Sequence, residues 1–164
     1  MRFAPAFAAL SLALTVTSSV SWGTEPEANP QAAALIAEGQ KALKSGETQA
    51  AIDAFEAALT IDPAYTPVLL DLAAAARADK LQGKAIGLYR EALMRDPGNL
   101  NAIAGEGAAY AEKGALEKAK GNLAQLRSLC GGNCPQVSSL TAAIERGRTM
   151  PALAVEAGTQ PAQN

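Results

Sequence analysis

The chain contains no histidine, the commonest general base in catalysis and a frequent metal ligand. Its only cysteines, Cys130 and Cys134, are too few to complete a metal site by themselves. Aromatic residues make up 4% of the sequence, so alanine and leucine must pack any core. That composition suits closely approaching helices better than a sheet, which favours β-branched and aromatic residues. No stretch shows the two-residue alternation of a half-buried strand. Charge of neither sign prevails. The net of −2 is far from the basic surface that nucleic-acid binding needs. Neither a Gly-x-Ser-x-Gly elbow nor a Walker loop occurs. Gly105-Glu106-Gly107 opens like a dinucleotide loop, but the third glycine and a preceding strand are missing, so packing explains it better. These absences predict no enzyme, no cofactor and no metal site.

What the sequence does have is a repeat. Residues 50–63 read AAIDAFEAALTIDP, and 34 positions later residues 84–97 read KAIGLYREALMRDP. Ala51, Phe55, Ala58 and Leu59 correspond to Ala85, Tyr89, Ala92 and Leu93. Their offsets put each set on one helical face. Pro63 and Pro97 then stop the helices, because proline has no N–H to donate and crowds the preceding turn. A further helical run precedes each copy. Leu35, Glu38, Gly39 and Ala42 match Leu69, Leu72, Ala73 and Ala76. A third copy follows as Ile103, Glu106, Gly107 and Tyr110, then Ala119, Leu123 and Leu126, with Gly131 at the proline position. Helices are expected at 30–44, 48–60, 66–78, 82–95, 100–113 and 116–129. Asn29-Pro30 and Asn99 serve as helix starts. Phe55 and Tyr89 are the expected core fillers.

This pattern resembles the tetratricopeptide repeat, a helix–turn–helix unit of 34 residues. The repeats span about 32–65, 66–99 and 100–133. The resemblance implies an all-α, right-handed solenoid of three hairpins. A further helix from Pro135, with Val137, Leu140 and Ile144 on one face, would cap the last open face. Gly147 is expected to end it, which sets the repeat domain at 30–148.

The flanks are of a different kind. Arg2, an apolar run over 3–16 and a small, mostly polar stretch to Gly23 have the layout of a secretory signal peptide over 1–23. Cleavage is expected before Thr24, with Trp22 as the alternative. The apolar run is short for a bilayer span, and no cysteine near the cut supports a lipid anchor. The mature chain is therefore expected to be periplasmic or secreted, without a membrane span. Residues 24–29 form a polar lead-in. Residues 149–164, with two prolines and mostly small side chains, are expected to be disordered.

The resemblance also implies a site. In such repeats the first helix of each hairpin lines a concave groove. The corresponding positions here include Ala33, Ile36, Gln40, Leu43 and Lys44, then Pro67, Leu70, Ala74, Arg77 and Ala78. The third repeat supplies Asn101, Ala104, Ala108, Ala111 and Glu112. Mostly small or apolar, they suit an extended or helical segment of a protein or peptide partner. Some members of the family clamp a chaperone's terminal carboxylate with lysine, asparagine and arginine. Ile36, Gln40, Asn101 and Gly105 stand at four of those positions, so that clamp is not expected.

Cys130 and Cys134, with three residues between them, read first as a disulfide pinning the third hairpin to the cap. Redox catalysis is the rival, although the spacing is not Cys-x-x-Cys. Two functional readings follow: an exported adaptor that binds a partner in its groove, and a structural subunit that self-assembles or holds an envelope complex. A thiol–disulfide protein is the outsider.

Overall fold

The computed structural model describes residues 27–149. The signal-like residues 1–23, most of the lead-in and residues 150–164 lie outside the described part.

Seven helices account for the described residues: α1 (Pro30–Lys44), α2 (Thr48–Ile61), α3 (Thr66–Ala78), α4 (Gln82–Arg95), α5 (Leu100–Glu112), α6 (Leu116–Cys130) and α7 (Pro135–Thr149). Capping residues fix several ends. Asn29 Oδ1 accepts from Gln31 N at 2.9 Å, and Asn99 Oδ1 accepts from Ala102 N at 3.0 Å. Each bond satisfies a donor that the first helical turn leaves unpaired. The Asp-Pro pairs stop α2 and α4, at Ile61 and Arg95.

The helices pair as α1–α2, α3–α4 and α5–α6, and each hairpin packs on the next through α2–α3 and α4–α5. The first helices also touch in series: α1 with α3, α3 with α5, and α5 with α7. They therefore form one continuous side of the stack, with α7 in the place of a fourth first helix.

Alanines at the crossings are fully buried, among them Ala51, Ala73, Ala76, Ala85, Ala92 and Ala109. With so little side chain between them, the backbones approach closely, and the few rings fill what remains. Phe55 is 0% exposed and Tyr89 4%, as the repeat predicts. A methyl group on Gly39 would come within 2.7 Å of the Phe55 ring, so only glycine fits beneath it. Gly107 does the same for the cap: a methyl there would meet Leu140 at 2.7 Å.

Four boundary expectations need correction. Gly147 does not end α7, which continues to Thr149. Its role is close approach, since a methyl on it would lie 2.6 Å from the Ala111 carbonyl oxygen. The other differences are single-residue shifts. α2 and α6 each run one residue further than expected, and α5 ends one residue sooner, at Glu112.

The third hairpin buries an ion where the second buries a hydrocarbon. Glu106 stands 34 residues after Leu72 and is 8% exposed. Arg90 Nε donates to its Oε1 at 3.0 Å, and Asn122 Nδ2 donates to its Oε2 at 2.9 Å. Asn122 also donates to the Ile103 carbonyl, and Arg90 donates to the Tyr110 hydroxyl. Burial raises the Tyr110 pKa, helped by the Glu106 charge and opposed by Arg90. Among the described residues no buried side-chain nitrogen or oxygen lacks a partner, so this network is closed and structural.

Candidate binding groove

The side formed by α1, α3, α5 and α7 holds two adjoining cavities. The larger, about 450 Å³, lies between α1, α3 and the start of α5. Ile36, Pro67 and Leu70 supply apolar wall, Tyr65 and Tyr89 aromatic wall, and Gln40, Asp71 and Asn101 polar groups. The smaller, about 300 Å³, lies between α3, α5 and the start of α7. Arg77, Asn101, Ala104 and Ala108 face it, together with Gln136 and Ser139 of the cap. Tyr89 and Asn101 border both.

Tyr89 sits at this boundary for a packing reason. At the repeat position of Gly39 the second hairpin has Ala73, which is buried in the same core cluster as Tyr89. The ring also lies against Gly105 of α5, where a methyl would overlap it and approach its hydroxyl oxygen to 2.7 Å. Burial raises the Tyr89 pKa, while the guanidinium of Arg77 beside it acts in the opposite direction. Arg77 is itself engaged, with its Nε 3.1 Å from Glu112 Oε1. Gln40 Nε2 donates to Asp71 Oδ2 at 2.9 Å, and Gln136 Nε2 donates to Asn101 Oδ1 at 2.9 Å. Side chains of successive first helices are thus bonded across the groove floor.

Of the residues expected here, Ile36, Gln40, Pro67, Leu70, Ala74 and Asn101 meet in the larger cavity. Arg77, Ala104 and Ala108 face the smaller. Others are placed elsewhere. Leu43 packs against the first-hairpin core. Ala33, Lys44 and Ala78 are exposed outside both cavities. Glu112 is held by Arg77, and Ala111 is buried against α7. Tyr65, Asp71, Tyr89, Gln136 and Ser139 line the cavities without having been expected there. Asp71 was findable, because it is one turn from both Pro67 and Ala74 on the same helix. The cap residues were not, since no periodicity tells which face of α7 meets the groove.

The chain ends of the third hairpin and cap also meet. The Cα atoms of Cys130 and Cys134 are 6.0 Å apart with their sulfurs adjacent, within the span that a bridge takes.

Among the described residues, no helix is long and apolar enough to cross a membrane, and no group of three or more potential metal-ligating side chains occurs. No family model matches the chain, and no curated protein matches it. Solved structures do. The Sgt2 TPR domain from Aspergillus fumigatus is 25% identical, with a TM-score of 0.66 over 84% of this chain and 89% of that one. The TPR2B domain of yeast Sti1, in complex with pHsp70, is 16% identical, with a TM-score of 0.66 over 74% and 98%. The first TPR of Spaghetti (RPAP3), bound to the HSP90 peptide SRMEEVD, is 23% identical, with a TM-score of 0.64 over 74% and 94%. The architecture is therefore that of a TPR domain: an all-α solenoid of three helix hairpins closed by a capping helix.

Proposed function

We propose that the protein is an exported bacterial TPR adaptor, without catalytic activity, that holds a segment of a partner protein in the groove formed by α1, α3, α5 and α7. The observation that carries this reading is the pair of adjoining cavities on that side. Their walls combine apolar surface with nearly as much polar surface at fixed places, a make-up that can seat side chains of a bound segment and fix its orientation. Neighbours of the same fold bound to peptides support it.

The test is capture of partners from the exported fraction by the full chain and by Ala74→Trp, which fills the larger cavity without adding charge. Groove binding requires the variant to lose the partner while keeping its helical content and melting temperature. A partner retained by that variant overturns the groove assignment.

Export rests on the residues of 1–23. N-terminal sequencing of protein recovered from the periplasm or medium should begin at Thr24, or at Trp22. A chain still beginning at Met1, or confined to the cytoplasm, removes export from the reading. In an oxidising compartment Cys130 and Cys134 would be joined, and a bridge closing so small a loop stabilises by about 2 kcal/mol. Titration of the exported protein should find no reactive thiol.

A further inference from the structure

Resting on the groove as a peptide site, we propose that the larger cavity selects a basic side chain, lysine or arginine, next to an apolar residue in the bound segment. Asp71 is the only charged residue that lines it. Its side-chain partner is the neutral amide of Gln40, and none of the ion pairs among the described residues includes it. The cation on the same helix, Arg77, faces the other cavity and is already paired with Glu112.

The walls fit the rest of such a side chain. Ile36, Pro67 and Leu70 can sheathe an aliphatic stem. The charged head then meets the carboxylate in a charge-assisted bond, with the rings of Tyr65 and Tyr89 beside it. The alternatives fare worse. An acidic segment brings like charge to Asp71, with no cation in this cavity to receive it. A purely apolar side chain would cover a carboxylate without neutralising it, which is unfavourable. Residues 150–164 of the chain itself contain Glu156 and no lysine or arginine, so they lack the complementary charge.

The experiment is selection of a phage-displayed library of random dodecapeptides on the full chain. The recovered peptides, labelled with fluorescein, are then titrated by anisotropy. Peptides sharing a lysine or arginine beside an apolar residue are expected. Asp71→Asn should weaken them about tenfold, the effect of losing one charge-assisted bond, and Ala74→Trp should block them. Asn101→Lys, which brings a cation to the same cavity from a different helix, should weaken them as well, so the result does not hang on one variant folding. Acidic or uncharged peptides that Ala74→Trp blocks would overturn the selectivity and leave the groove site standing. Basic peptides indifferent to both charge variants would do the same. Failure to recover any peptide blocked by Ala74→Trp, or light scattering that shows a dimer closed through this face, would overturn both.

Discussion

In the first hairpin the Phe55 ring lies over Gly39 of its own partner helix. In the second the Tyr89 ring, 34 residues on, lies over Gly105 of the next hairpin. Two substitutions in the repeat accompany the difference. Ala73 replaces the glycine beneath the ring, and a hydroxyl is added at its tip. The hydroxyl needs room that Gly105 provides. The turns differ as well. Gly46 closes the first hairpin at φ +80°, whereas Lys80 holds the same repeat position at φ 64° in the second. The first hairpin follows the economical form of the repeat. The second departs from it where its aromatic residue must reach the groove, so part of its packing also shapes the binding surface.

The largest break in this comparison is removal of the rings. Phe55→Ala empties a fully enclosed site and should cost about 3–5 kcal/mol, read by chemical denaturation. An unchanged midpoint would mean that the face assigned to α2 is wrong. Filling the glycine seats sharpens the contrast. Gly39→Ala and Gly105→Ala should each cost about 1–3 kcal/mol by overpacking. Only Gly105→Ala should also perturb peptide binding, because only Tyr89 borders the cavities. Equal effects of both on binding would erase the distinction between the hairpins.

The stack was legible because its determinants are local and repeated. The 34-residue return of Ala51, Phe55 and Ala58 as Ala85, Tyr89 and Ala92 fixes the faces, and Asp-Pro fixes the ends. The groove was legible wherever a first-helix position keeps its repeat role, as with Ile36, Leu70 and Ala104. It was not legible where contacts join distant segments. Gly147 resembles a helix stop, yet its meaning depends on Ala111, which it meets only after α7 has docked. Glu106 occupies a core position in the pattern, and nothing nearby in sequence announces that Asn122 and Arg90 will satisfy it.

A smaller effect is expected at the second turn. A side chain in the left-handed region costs roughly 1–2 kcal/mol relative to its preferred conformations, and glycine escapes that at some entropic cost in the unfolded chain. Lys80→Gly gives the second turn the residue found at Gly46 and Gly114. It should therefore stabilise the chain by about 1 kcal/mol, without altering the groove. A destabilised variant would show that the lysine side chain contributes something its exposed position does not reveal.

The smallest effect isolates the Tyr89 hydroxyl. Burial sets its folded pKa above the ordinary tyrosine value of 10.0, so the folded chain keeps this proton at a pH where the unfolded chain begins to release it. The stability that follows is fully present below about pH 10 and is lost as the pH rises through the folded value. Tyr110 shifts in the same direction, so wild type and Tyr89→Phe should both weaken in alkali. The variant, carrying only the Tyr110 contribution, should weaken less steeply. The difference between their denaturation midpoints, followed from pH 8 upward, belongs to Tyr89 alone. Parallel curves would mean that the hydroxyl is solvated rather than held between Arg77 and the backbone of Gly105. The packing that separates the second hairpin from the first would then have to be explained by Ala73 without it.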